Sequence, residues 1–438
     1  MPIAPTLSDR LAALGVRVPD LLMPASGINL EAWSVVACDQ FTSQPDYWDH
    51  VERIVGGRPS TLRLVLPEAH LERRDRDQRV SAINASMNDY LARGVVEPRE
   101  ATMVLVRRVD SHGHTRWGLL AALDLEMYDW RPGSRTPIRA TEGTIESRIP
   151  PRVQVRRNAP LEVSHITVLV SDPAHSLIEP LAASVAGREM LYDTELMLGG
   201  GRVTGWAIDR PDDFEAVAGA LEQLAAFDPH DPLLFAIGDG NHGFATAKEW
   251  WDELKGTLSE SERAAHPARF ALVEIENIHD PGLRFEPIHR VLFGLARADF
   301  DAEIARHCAD ADVEEVERPE VAGLADDQTS GQRFGLADAD GATIYTLTDP
   351  EGPIAVATVQ RAIDALVAAE MCEVDYIHGG DVAAELASEP GNVAVFLPEF
   401  DKIALFDAIR TEGVLPRKTF SLGDAADKRY YLEGRLLR

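Results

Sequence analysis

The sequence predicts a mixed α/β protein built from more than one packed unit, and three observations carry that prediction. At 438 residues the chain is longer than one hydrophobic core ordinarily organises. Its apolar fraction of 45% and charged fraction of 26% are those of a globular protein rather than a disordered one. Apolar runs of strand length recur between amphipathic runs of helical spacing. A change of texture near residue 295, toward acidic alanine-rich sequence, divides the chain into an expected first region, 1–295, and a smaller α/β unit, 296–438.

Taken in order, residues 33–40 form a short apolar run that ends on Asp39 and Gln40, which puts a carboxylate at a strand mouth. Pro45 precedes an amphipathic stretch at 47–54 and marks a helix start. Runs at 103–109 and 116–125 flank Asp110, Ser111, His112, Gly113 and His114, the pattern of a hairpin with solvated histidines at its tip. Residues 165–170 read as a buried strand. Residues 212–227 read as a helix with Phe214, Val217, Leu221 and Leu224 on one face. A strand at 233–237, a glycine turn at 238–243 and a helix at 244–254 follow, then a strand at 270–278. Beyond 295 a hairpin turns at 338–341, a helix covers 357–370 and a strand covers 393–397. No internal repeat is evident, which sets solenoids aside.

The formal charge of −29, from 72 acidic and 43 basic residues, repels nucleic acid and anionic membrane. Cys38, Cys308 and Cys372 are far apart and form no Cys-x-x-Cys pair, so neither a disulfide framework nor a thiolate zinc site is indicated. No apolar run reaches signal or spanning length. These readings predict a cytoplasmic protein whose partner is a small molecule, and they leave its oligomeric state open.

The most informative unit is Gly238-Asp239-Gly240-Asn241-His242-Gly243, between a strand and a helix. Such a turn aims free N–H groups and the positive helix end at one spot, which suits phosphate. The glycines let backbone approach a ligand, Asp239 can hold a metal ion or take a proton, and His242 can donate or act as acid or base. The turn lacks the Lys-Ser/Thr of a phosphate loop and the Gly-x-Gly-x-x-Gly of a dinucleotide fold. A plain β–α turn with Asp239 or Asn241 as cap is the competing reading. A two-metal phosphoesterase would need further ligands, for which His279 and Asp280 are the available pair.

Seven arginines crowd residues 131–157, and Arg139, Thr141, Glu142, Thr144, Arg148 and Arg152 gather cations, hydroxyls and a carboxylate. Guanidinium forks match phosphate oxygens in two-point contact, while Glu142 could orient them or take a proton. A surface salt-bridge network is the alternative. The clustering of arginines in an acidic chain predicts that Asp239 and Arg148 meet at one anion site. His289, within 286–290, and His378, within 375–380, are lesser candidates.

Residues 37–45, 138–144, 238–242, 285–290, 375–379 and 418–423 together resemble a bacterial family carried as domain of unknown function 1015, over nearly the whole chain. Many of its members carry Asp-Gly-His-His-Arg at the turn, similar to the phosphate-binding box of ParB, sulfiredoxin and nucleotide-dependent free serine kinases. The resemblance implies a ParB/sulfiredoxin-like core in which Asp239, Gly240 and His242 hold nucleotide phosphates and Mg²⁺, with Asp239 as metal ligand. Here Asn241 replaces the first histidine and Gly243 the arginine, so Arg139, Arg148 or Arg152 would have to supply the charge. His289 and Lys418, in two of the matching stretches, join the ligand-binding set. Relatives tend to be encoded beside serine-biosynthesis enzymes, which makes serine or phosphoserine the first substrate expected. The implied activity is phosphoryl transfer between ATP or ADP, with Mg²⁺, and a small hydroxylated metabolite, with Asp39 or Glu142 taking the hydroxyl proton. A nucleotide- or metabolite-sensing module without turnover and a metal-dependent phosphatase are the rival readings.

Overall fold

A computed structural model of the chain describes residues 5–438 apart from 43, 72, 132, 227, 229, 309, 327–331 and 349–353. Phe227, the expected end of one helix, and Ser43, inside the 37–45 stretch, lie outside the described residues. The structure is mixed α and β, as the sequence predicts, and it divides into two compact units. One comprises the residues up to Leu283 together with Ala425–Arg438, and the other is Arg284–Asp424.

The texture boundary at 295 is therefore not where the chain passes from one unit to the other. Phe285–Phe293 is an inner strand of the second unit, pairing with both Glu373–His378 and Asn392–Phe396. At the other end, Gly434–Leu436 pairs with Leu161–Val163 in the first unit. Composition reports the character of the surface, whereas pairing between distant segments decides unit membership.

The main sheet of the first unit runs in the spatial order Ile138–Ala140, Phe235–Asp239, Thr167–Val170, Phe270–Asn277, Thr115–Asp124, Met103–Val109, Arg202–Ile208, Met190–Glu195. Phe235–Asp239 lies parallel to Ile138–Ala140 and antiparallel to Thr167–Val170, with Asp239 opposite Thr167. Phe270–Asn277 is buried along its whole length, which its Phe270-Ala271-Leu272-Val273 run and Ile275 foretell and its two glutamates do not. The Asn241–Lys255 helix starts earlier than its apolar spacing suggests, because Gly240 at φ +80° turns the chain sharply in the left-handed region. Phe244, Ala247 and Trp251, at helical spacing, are buried along it, and each large side chain contributes roughly 1.5–3 kcal/mol by leaving water.

The end of the chain is part of this core. Ala37 donates its N–H to the Arg429 carbonyl and Tyr431 donates to Val35, both at 2.9 Å, and the Trp33 indole donates to the Leu432 carbonyl. Lys428, Arg429, Tyr430 and Tyr431 are consequently buried beside the 35–39 segment.

In the second unit, alternate residues of each strand serve opposite faces of one sheet. Leu292, Phe334, Leu336, Val393 and Val395 pack with the Arg297–His307 and Ala355–Ala368 helices. Val291, Ala337, Ile344, Ala394 and Phe396 pack with the Arg318–Ala322 and Gly380–Ala387 helices. The hairpin expected at 338–341 forms, with Asp338 Oδ1 accepting the N–H groups of Asp340 and Gly341. No helix among the described residues is long and apolar enough to cross a membrane.

Candidate functional site

Asp239 closes its strand, Gly240 reverses the chain, and Asn241 opens a fifteen-residue helix whose cap position offers no side-chain acceptor. The first N–H groups of that helix are therefore available to an acceptor supplied from outside. Asn241 is buried and braces the neighbouring loop: its Oδ1 accepts the Thr141 N–H at 3.3 Å and its Nδ2 donates to Thr141 Oγ1 at 3.2 Å. Thr141 Oγ1 in turn donates to the Ile237 carbonyl at 2.6 Å. His242 completes the brace by accepting the Ile145 N–H at Nε2, 3.3 Å away. A backbone N–H can only donate, so Nε2 carries no proton in this arrangement. The 138–145 stretch is thus clasped to the turn, with Glu142 half-buried in it and Thr144 Oγ1 buried with no hydrogen-bond partner.

Asp239 has Lys428 Nζ 3.7 Å from its Oδ1, and its Oδ2 is buried with no hydrogen-bond partner. A carboxylate oxygen left so costs free energy unless something else satisfies it. Next to this pair lies His165, whose ring fits against the start of the helix: a Cβ on Gly243 would sit 3.7 Å from its Cε1, and one on Gly240 3.5 Å from its Cδ2. His165 Nε2 is 3.4 Å from Asp39 Oδ2, and its Nδ1 is 2.9 Å from the Tyr431 hydroxyl. Gln40 donates to Asp39 Oδ1 at 3.0 Å, and the Cys38 N–H donates to the Tyr431 oxygen at 3.0 Å.

The charges of this cluster respond to one another. Burial opposes the His165 cation, but Asp39 foremost, with Asp239 and Glu68, carries the imidazole above its ordinary value. Burial likewise opposes the Asp39 carboxylate, and His165, Gln40 and Lys428 more than offset it, holding that carboxyl below its ordinary range. The Cys38 thiol is pushed up by burial and by Asp39 and Glu68, so it stays protonated and is no nucleophile.

Asp39, Asp239, Gly240, Asn241, His242 and Thr141 thus belong to one neighbourhood of the first unit. Arg152 borders it, paired with Glu68, whose N–H donates to the Cys38 carbonyl. Other expected residues have different partners or lie in the second unit. Arg139 is buried, spends its guanidinium on Asp231 and the Thr136 carbonyl, and has no free face for a ligand. Arg148 is exposed, and its carbonyl accepts from Arg152. The cation paired with Asp239 is Lys428, which the chain's end supplies. His289 and Lys418 belong to the second unit. His289 is buried, accepts the Leu397 N–H at Nδ1, and is pushed down to about 4 by burial and Arg290, so it is a neutral core residue. The Lys418 carbonyl accepts from the buried Arg290.

Three site residues escape sequence reasoning: His165, Lys428 and Tyr431. Nothing local marks them, since Tyr431 meets a histidine 266 positions away.

The first unit therefore presents a phosphate-suited strand–turn–helix flanked by a lysine–aspartate pair and a histidine–aspartate pair. The chain belongs to the family described as "Protein of unknown function (DUF1015)", whose model matches residues 22–366. No curated protein sequence matches it. Among solved structures it is similar to a free serine kinase in complex with AMP, at 11% identity and TM-score 0.39, covering 76% of this chain and 92% of that one. It is also similar to a conserved hypothetical protein from Pyrococcus furiosus, at 11% identity and TM-score 0.37, covering 72% and 90%. A third is SbnI with C-terminal truncation from Staphylococcus aureus, at 10% and 0.36, covering 69% and 81%. At that level of overlay the chemistry has to be read from this chain's own residues.

Proposed function

We propose that the first unit binds a phosphorylated small molecule, a nucleotide first among candidates, at the start of the Asn241–Lys255 helix, and passes a phosphoryl group between it and a small hydroxylated metabolite. The observation that carries this reading is Asp239 Oδ2, buried and unpartnered at the mouth of an uncapped helix. Phosphate oxygens suit the helix N–H groups, and Lys428 adds a fixed positive charge beside them. The unpartnered carboxylate oxygen fits a divalent cation, which Mg²⁺ ordinarily binds through one or two carboxylates together with substrate phosphates and water. Bound there, Mg²⁺ would neutralise phosphate charge. Asp39, ionised and half-buried, is the acceptor available to a substrate hydroxyl; as a weak base it would orient that hydroxyl and take its proton only late in the transfer. Serine or phosphoserine remains the first metabolite to try, on the family resemblance.

The phosphatase alternative needs His279 and Asp280 at this site. Asp239 stands opposite Thr167, whereas Asn277, where the strand leading to His279 ends, is level with Val170, three residue steps or about 10 Å along the sheet. Asp280 is also spent on the N–H groups of Trp117 and Gly282.

Calorimetric titration of the full chain with ATP, ADP, CTP, GTP and inorganic phosphate in Mg²⁺ tests the binding. At least one should bind, and Asp239→Asn should weaken it by about tenfold or more, as for a lost charge-assisted contact. Failure of every phosphate ligand to bind, or equal binding by D239N, overturns the proposal. Phosphorus NMR of mixtures with serine and other hydroxy acids then tests transfer: a new phosphoester supports it, and binding without turnover would make the unit a sensor.

A further inference from the structure

We propose that His165 is a positioning residue of this site: its Nε2–H fixes the Asp39 carboxylate as acceptor of a substrate hydroxyl proton, while its Nδ1 pairs with the Tyr431 hydroxyl, accepting from it when the ring is neutral and donating to it when the ring is charged. The assignment rests on the phosphoryl-transfer reading for its chemical purpose, but its geometry stands without it.

Three segments distant in sequence converge here. The 38–40 segment contributes Asp39, Gln40 and the Cys38 N–H, the entry to the Thr167–Val170 strand contributes His165, and the end of the chain contributes Tyr431. The imidazole is held on both edges by these partners, so it cannot swing without losing Asp39 or Tyr431.

The proton count follows from the partners. Asp39 is ionised and can only accept, so Nε2 carries a proton. The Tyr431 oxygen accepts the Cys38 N–H and keeps its own proton, since burial raises the phenol well above its ordinary value. Two arrangements satisfy these constraints. In one, Tyr431 O–H donates to a bare Nδ1; in the other, Nδ1–H donates to the Tyr431 oxygen and the hydroxyl proton turns toward the Cys38 side chain. A proton therefore enters or leaves Nδ1 with the bonds to Asp39, Tyr431 and Cys38 N–H retained, which lets His165 change charge with little rearrangement. The charged groups around it are Asp39, Asp239 and Glu68 on the acidic side, with Lys428 and Arg152 on the basic side.

In the forward step, the substrate hydroxyl oxygen forms a bond to the terminal phosphorus of a nucleoside tri- or diphosphate, and the bond from that phosphorus to its bridging oxygen breaks, the leaving nucleotide keeping the electron pair. The hydroxyl proton passes to Asp39. His165 touches no reacting atom: it keeps the Asp39 carboxylate aimed until that proton arrives.

Long-range ¹⁵N–¹H NMR on the full chain, with the His165 signals assigned by their loss in His165→Gln, tests the triad with no reference to activity. The imidazole should titrate above its ordinary value of about 6.5, and its midpoint should fall in Asp39→Asn. In Tyr431→Phe the Nδ1 shift and tautomer balance should change while the ring packing is kept. A midpoint at or below the ordinary value, or one indifferent to D39N, overturns the proposal. In the transfer assay, H165Q should lower kcat by about tenfold or more with the nucleotide KM nearly unchanged, and should move the acid limb of the pH profile upward as Asp39 loses its neighbouring cation. A kcat and pH profile equal to the parent's in a folded H165Q would also overturn it. If no donor and acceptor react at all, the transfer reading fails while the NMR arm still decides the triad.

Discussion

Replacing Arg429 with methionine should remove most of the stability of the first unit. Its guanidinium is 5% exposed and bridges Glu274 and Glu433, which are 4% and 0% exposed, at 2.6 Å from the latter, while its Nε donates to the Ser164 carbonyl. Methionine fills similar space, so the loss is mainly electrostatic: two buried carboxylates lose their common cation. Breaking a buried pair by deleting one partner costs about 3–5 kcal/mol, a large part of a domain's usual 5–15 kcal/mol. All seven tryptophans lie between Trp33 and Trp251, so urea unfolding followed by tryptophan fluorescence reports this unit. A variant within about 1 kcal/mol of the parent at neutral pH would refute this account, since it would mean that the triad is solvated or its charges already neutral.

Two further outcomes follow from other buried charges. Burial, with Glu274 and Asp280 and against the pull of Arg116, pushes Glu276 up to about 7. A carboxyl raised on folding contributes stability that is present below its unfolded value near 4.5 and lost as pH rises through 7. The stability of Glu276→Gln relative to the parent should therefore improve by on the order of 1–3 kcal/mol between pH 4.5 and 8, and a difference that stays flat in pH-dependent urea curves would contradict it. Arg139→Ala, which strips Asp231 of its buried partner, should destabilise the first unit by about 3 kcal/mol or more, whereas Arg148→Ala should stay within about 0.5 kcal/mol of the parent in the same assay. The reverse order would mean that Arg148, and not Arg139, is the structural arginine of this loop.

How much of this was legible in the sequence depends on the range of the interactions involved. The strand, turn and helix around Asp239 are written locally, in an apolar run, two flanking glycines and apolar residues at helical spacing, and they stand where the spacing predicts within a few residues. The arginines of 131–157 were legible as a cluster but not in their use. Arg139, Arg152, Arg156 and Arg157 pair with Asp231, Glu68, Glu162 and Glu253, carboxylates from four different parts of the chain. An acidic chain that buries some of its carboxylates needs guanidinium groups there, and a sequence cannot distinguish that need from a ligand's. His165, Lys428 and Tyr431 were illegible for the same reason, since their meaning comes from partners hundreds of residues away.

The position of Lys428 and Tyr431 has a consequence for how the site comes into being. Both lie in the last fourteen residues assigned to the first unit, and both flank Arg429, whose triad anchors that stretch to Glu274 on the fully buried Phe270–Asn277 strand. The turn carrying Asp239 can form from contacts local to its strand and helix, but its cation and the anchor of His165 arrive when the chain's end docks against residues 35–37. Geometry held by packed, ion-paired backbone is what a site needs to keep its groups in place. Loss of the terminal residues should therefore leave an Asp239 with no adjacent lysine and a His165 with a single partner, a unit that binds phosphate weakly however well its remaining core folds.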